Sequence, residues 1–288
     1  MTVLVSIPAK NQAQEELRAW SDVPDDLIDI GAAALAFATL RLPSHEALPY
    51  REHLDRLATE VAQMARTVKP QRVEQVAGLL REVLVIRHGY EGDDATYDSP
   101  DNASLIKVID RRRGLPVALG IIYLAVARSN GWDAVGLNFP EHFLIRLEFN
   151  GRRLILDPFA RGEVVAVPRL REIIKARLGP EAELQPEYYT PVGNKDVLLR
   201  LQNNLKLRYA RAGMDEAAAE ILEGMLLLAP ERAILWREFG LTLARLSQEH
   251  RAIVALENYL TLTSDEPQRH QTAQLVEQLR AVMATIGP

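Results

Sequence analysis

The chain has 288 residues, 48% apolar, 25% charged and 6% aromatic, with 34 Lys and Arg against 39 Asp and Glu. That composition excludes intrinsic disorder as the main state and leaves room for two domains, while the net charge of -5 supplies no positive field for a phosphate backbone, so no direct nucleic-acid partner is expected. The cysteine count of 0 excludes disulfides, thiolate nucleophiles, Cys-ligated zinc and iron–sulfur clusters together.

Residues 1–24 read as a polar arm or short helix. They show no basic n-region, and the apolar run Val3–Ile7 is shorter than a signal core of ~7–15 residues. The longest apolar stretch, Leu115–Val126, falls well below the ~18 residues that span a bilayer. A cytoplasmic protein with no membrane partner is the expectation. From Asp25 the apolar residues take helical spacing. Asp25 and Asp26 are positioned to cap a helix through Leu27, Ile28, Ala32, Leu35 and Ala36 that ends at Leu42-Pro43. A second helix fits Leu54, Leu57, Val61 and Met64 and stops before Lys69-Pro70, and a third runs from Val73 to Leu84 and ends near His88-Gly89. These predict a helical N-terminal layer.

Residues 91–102, EGDDATYDSPDN, read as a loop. A short helix from Ala103 to about Arg112 follows, and Pro116 then suits the first turn of a new helix. That helix, PVALGIIYLAVARSNG, is apolar nearly all round, closes at Gly131, and is expected to be buried. After it the period changes to two. Residues 132–139 and 142–149 read as strands, and Asn150-Gly151 is a hairpin turn into RRLILDPF. A two-residue turn pairs Phe149 with Arg152, Leu147 with Leu154 and Ile145 with Leu156. His142 then lies diagonal to Asp157, within the ~7–8 Å between backbones that two side chains can close.

Beyond Glu163 come a basic amphipathic helix around PRLREIIKARLG and a Pro/Tyr-rich linker, QPEYYTPVG. That linker is the candidate boundary between a domain of residues 25–190 and one of residues 196–288. The second contains a repeat. Leu205 matches Phe239, Tyr209 matches Leu243, Ala218 matches Ala252, Leu222 matches Leu256 and Met225 matches Tyr259, at a period of about 34 residues. Trp236-x-x-Phe239-Gly240-x-x-Leu243 is close to the first-helix signature of tetratricopeptide repeats. The last helix, carrying Leu275, Leu279 and Met283, is expected to cap the stack.

Three pieces fall in order: Arg113-Gly114-x-Pro116 opening a buried helix, His142 on one strand and Asp157 on the next. In a Cys-His-Asp site the thiol sits at a helix N-terminus, His takes its proton and Asp fixes the imidazole tautomer. Here the nucleophile is missing. Ser104, Thr96 and Tyr97 are the hydroxyls nearest in sequence, but none has a motif. Arg113, in the basic cluster Arg111–Arg113 before a helix N-terminus, and Asn102 are candidate ligand-binding residues. Asp93 and Asp94 lack the spacing of a calcium loop, the histidines show no H-x-x-x-H or H-E-x-x-H pattern, and no phosphate-loop, dinucleotide or G-x-S-x-G motif occurs. No metal and no cofactor are expected.

The order R-R-G-x-P, Ala127-Arg128-x-x-Gly131, F-P-x-H-F at Phe139–Phe143 and L-D-P-F at Leu156–Phe159, with repeats behind, resembles the bacterial SirB-type transglutaminase-like/tetratricopeptide-repeat family. The resemblance covers roughly residues 25–285, and residues 101–159 are its specific part. It implies an α+β fold: a helical N-terminal layer and a papain/transglutaminase-like core with a small antiparallel sheet, followed by an all-α repeat region. In active members of the wider superfamily the cysteine stands where this chain has Pro116, while His142 and Asp157 match the histidine and aspartate. The expectation leans against an enzyme. It favours a protein acting through protein or peptide contacts of its repeats, with Asn203, Tyr209 and Trp236 on the repeat face, in a regulatory role. The alternative is a cysteine-independent hydrolase or transferase of amides or esters, with His142 as general base and Asp157 orienting it.

Overall fold

The computed structural model describes residues 9–286; the run Val3–Ile7 lies outside them. Helix α1 (Ala9–Ser21) occupies the arm, and a single 3-10 turn (Asp25–Leu27) precedes α2 (Ile30–Arg41). The expected cap is displaced. Asp29 caps α2, accepting from the Ala32 amide at 2.9 Å, whereas the Asp25 carboxylate accepts from the amides of Asn194 at 2.7 Å and Lys195 at 2.8 Å, far along the chain. Sequence proximity favoured a local cap, and a long-range one took the side chain. Helix α3 (Leu48–Val68) stops at Lys69, which adopts φ 50, and α4 (Val73–Arg81) runs into a π-helical turn, Glu82–Arg87.

The loop expected at residues 91–102 contains β1 (Glu91–Gly92) and a 3-10 turn (Pro100–Ala103), and α5 (Leu105–Arg111) follows. Strand β2 (Arg113–Gly114) pairs in parallel with β1. Helix α6 (Pro116–Ser129) begins with proline in its first turn, where the missing N–H costs nothing. It is buried from Pro116 to Leu124, as its all-round apolarity predicts.

Beyond α6 stand β3 (Asp133–Leu137), β4 (Ile145–Phe149), β5 (Arg152–Asp157) and β6 (Glu163–Val164). Helix α7 (Val167–Leu178) follows, and β7 (Pro191–Val192) completes a five-stranded antiparallel sheet in the order β6-β5-β4-β3-β7. The hairpin has the register its turn dictates, with Phe149 opposite Arg152, Leu147 opposite Leu154 and Ile145 opposite Leu156. Asn150 and Gly151 supply the positive φ values, 49 and 71, of that turn. Strand β4 is shorter than its alternation suggests. Glu141 turns to φ 53, and His142 sits in a bend ahead of Ile145.

Leu137, Phe139, Leu144, Val165, Leu170 and Ile174 form a buried cluster between sheet and α7. The segment 185–193 packs there too: Tyr188 meets Phe139 edge-on at 6.0 Å, and β7 pairs with β3. The fold is thus mixed α+β.

The described residues form two compact units, one of residues 24–201 with 9–13, the other of residues 202–286 with 14–23. Helices α8 (Asn194–Arg211), α9 (Asp215–Leu228), α10 (Ala233–Arg245), α11 (Glu249–Leu262) and α12 (Glu266–Ile286) end the chain. The repeat-matched residues Leu205, Ala218, Leu222 and Met225 are buried, as are Phe239, Leu243, Ala252, Leu256 and Tyr259. A Cβ on Gly240 would lie 2.6 Å from Leu256 Cγ. That glycine lets α10 and α11 approach closely.

Candidate functional site

Asp157 ends β5, and the chain folds back over its carboxylate. Oδ1 accepts from the amides of Phe159 at 2.9 Å and Ala160 at 3.2 Å, and Oδ2 meets His142 Nε2 at 2.8 Å. The Phe159 ring stands edge-on to the imidazole, centroids 6.2 Å apart. The bend carrying His142 is pinned from two sides. Phe143 lies against two glycines, since a Cβ on Gly120 of α6 or Gly136 of β3 would fall 2.4 Å and 2.7 Å from its ring. Arg200 of α8 donates to the carbonyls of His142 at 2.6 Å and Phe139 at 3.1 Å, and its guanidinium lies over Phe143, 5.6 Å from the ring centre.

The hydrogen bonds fix the tautomer. With both carboxylate oxygens accepting, Nε2 carries the proton it donates to Asp157, and Nδ1 is the nitrogen that holds the lone pair in the neutral imidazole of that tautomer. Nδ1 is buried and has no hydrogen-bond partner among the described residues. In a Cys-His-Asp site that lone pair would receive the thiol proton. A cleft of about 340 Å³ adjoins the pair, lined by His142, Asp157, Phe159 and Ala160, by Asp94, and by one face of α7. Pro116 and Gly120 lie one turn apart on α6, so the helix start that the resemblance aligns with the nucleophile is one turn from the glycine against Phe143.

The other candidate residues are engaged elsewhere. Asn102 is fully buried; its amide donates to the Thr96 carbonyl at 2.6 Å and its oxygen accepts from Arg111 at 3.0 Å. The Thr96 hydroxyl donates to Asp93 at 2.6 Å, and Arg111 does so at 2.6 Å. These bonds, the Thr96 hydroxyl foremost, hold the Asp93 carboxyl down at about 2. Arg113 pairs with Glu91 at 3.0 Å, and Arg161 takes the second oxygen of Glu91 at 2.8 Å. The Ser104 hydroxyl is buried where α5 begins, without a partner among the described residues. Tyr97 stacks edge-on to Phe159 at 5.9 Å. In the second unit, Asn203 and Tyr209 are half-buried, and the Trp236 indole donates to the Pro230 carbonyl at 2.8 Å.

Sequence reasoning missed Arg200 and the face of α7. Nothing in the local pattern marks an arginine in α8 as the brace of a bend nearly 60 residues earlier. The basic amphipathic pattern of α7 was visible, but not what its face adjoins. Among the described residues no helix is long and apolar enough to cross a membrane.

Residues 49–203 match the transglutaminase-like superfamily, and residues 205–280 match the tetratricopeptide repeat. A UPF0162 protein of Xylella fastidiosa is 30% identical over 85% of this chain and 89% of its own length. One from Pseudomonas aeruginosa is 30% identical over 82% of this chain and 84% of its own. Protein SirB1 of Salmonella typhimurium is 28% identical over 69% of this chain and 71% of its own. The crystal structure of menin aligns over 92% of this chain and 74% of its own at 9% identity and a TM-score of 0.42, too low to bear on the fold. With the superfamily match over more than half its length and the UPF0162 and SirB1 relatives over most of it, the chain joins a transglutaminase-like core to tetratricopeptide repeats and belongs to the transglutaminase-like superfamily, in the UPF0162/SirB1 group.

Proposed function

We propose that this protein is a non-catalytic member of its superfamily that works in the cytoplasm by holding a protein or peptide partner through its tetratricopeptide repeats, in a regulatory role. The observation that carries the reading is the missing nucleophile. The chain has no cysteine, and Pro116, with no side-chain nucleophile, opens the helix at the position the resemblance assigns to the thiol. A repeat region of this kind is typically a protein-binding module.

One observation favours a second reading, a cysteine-independent hydrolase. His142 retains an orienting carboxylate and a free lone pair beside a cleft, the arrangement of a general base waiting for water or a hydroxyl. The two readings diverge in one experiment. Purified protein is assayed against a panel of esters, amides and peptides beside His142→Ala. The non-catalytic reading expects no turnover by either; turnover by the wild type that vanishes in the variant sinks it.

A further inference from the structure

The cleft beside the His142–Asp157 pair has ends of opposite charge. Its long wall is a face of α7, and the rise from Arg169 to Arg177 is about 12 Å. Arg169 is held by Glu172 at 2.8 Å, and α7 begins just after β6, whose Glu163 stands opposite Asp157, so the N-terminal end of α7 faces the pair. At the other end Arg177 is exposed, and its side chain makes no ion pair or hydrogen bond to another described residue. Asp94 is likewise exposed and unpaired among the described residues. Its loop belongs to the end near the pair, because the Gly92 amide donates to the Phe159 carbonyl at 3.1 Å. Apolar side chains line the rest of the cleft, Phe159 and Ala160 beside the pair and Ile173 and Ala176 along α7 towards Arg177.

A carboxylate at one end, a guanidinium at the other and an apolar strip between them ask for a ligand with the complementary order. A simple anion or cation satisfies one end and leaves the other charge idle. An extended chain of three residues spans about 10 Å, comparable to the wall, and the cleft volume of about 340 Å³ lies at the small end of the range for ligand sites. We propose that this cleft binds a short zwitterionic peptide of about three residues, its ammonium at Asp94, its apolar central side chain over Phe159 and Ile173, and its carboxylate at Arg177. The inference deepens the reading above, because it gives the thiol-less core a binding role.

Titration calorimetry of the full chain with the tripeptide Ala-Leu-Ala tests it, alongside the same peptide acetylated at its N-terminus or amidated at its C-terminus. Saturable binding of the free peptide is expected, weakened tenfold or more by either cap. Asp94→Asn should erase the discrimination against the acetyl cap, and Arg177→Gln that against the amide; both side chains are exposed, and circular dichroism checks that the fold is kept. No saturable binding into the millimolar range, or equal binding of free and capped peptides, overturns the proposal. Mass spectrometry of the titrated peptide separates the two readings. Binding with cleavage supports the ligand class and defeats the non-catalytic reading, whereas neither binding nor cleavage defeats the ligand class alone.

Discussion

The imidazole of His142 donates through Nε2 to Oδ2 of Asp157 across 2.8 Å, and the other oxygen of that carboxylate holds the Phe159 and Ala160 amides. One buried side chain therefore satisfies three donors. Asp157→Ala strands them all and should cost at least the roughly 1–3 kcal/mol of one unsatisfied buried group. Asp157→Asn keeps an oxygen for the two amides but faces Nε2 with a competing donor, and should fall between wild type and Ala. Urea unfolding of the three proteins checks the order, and an Ala variant as stable as wild type would show that the carboxylate is dispensable to the fold.

Pro116→Cys would return a thiol to a chain that has no other cysteine, at the first turn of α6. A thiol at a helix N-terminus is acidified, and more so when an imidazole can take its proton. The expected apparent pKa, read from the pH dependence of iodoacetamide alkylation, lies below the free value of about 8.5. Adding His142→Ala should move it back up. An ordinary thiol unaffected by His142 would mean that Nδ1 does not face the start of α6.

Helix propensity and packing oppose each other at Gly120. Alanine in a helix interior gains about 1 kcal/mol over glycine, but here its Cβ would meet the Phe143 ring at 2.4 Å. Overpacking of that kind costs about 1–3 kcal/mol, and packing wins because Phe143 is also closed in by Gly136. Gly120→Ala should therefore lower the thermal midpoint, whereas Gly78→Ala, with open space around its Cβ position, should not.

The sequence carried the hairpin register and the burial of α6 because both follow from local rules, a two-residue turn and an all-round apolar helix. It carried the diagonal approach of His142 to Asp157 for the same reason, although His142 reaches its partner from a bend rather than from within the strand. The repeat helices followed from the matched apolar spacing, and Ala218 and Ala252 are both buried as their match requires. What stayed hidden depends on pairings between distant residues. Strands β6 and β7 are two residues each and owe their existence to their neighbours, and Arg200 finds its carbonyls only once the bend is folded.

Asp25 is the plainest of these distant pairings. Its carboxylate accepts from the first two amides of α8, donors that no helical partner satisfies. Asp25→Ala should cost about 0.5–2 kcal/mol. Asp26→Ala, at the neighbouring position, should cost far less. Thermal melts of the two variants separate a long-range cap from the local one that the sequence suggests; equal losses would favour the local cap.

His53 makes the stability of the first unit depend on pH between 6.5 and 4. It is buried, and Arg112 donates to its Nε2 at 2.8 Å and to the Tyr90 hydroxyl at 2.6 Å, so the ring must offer a lone pair and stay neutral. Burial first, then the charges of Arg112, His88 and Arg56, push it down to about 4 from an ordinary 6.5. Between those values the unfolded chain binds a proton that the folded one refuses. Stability is therefore full above pH 6.5 and falls as the pH drops towards 4, by at most roughly 3 kcal/mol. Asp93, held at about 2, adds its own loss only below its ordinary 3.8, so the two steps separate. His53→Gln keeps a polar side chain that does not titrate; it should flatten the slope between pH 6.5 and 4 in urea unfolding and leave the steeper acid limb below. A wild-type profile already flat across that range would mean that His53 protonates in the folded state without resistance.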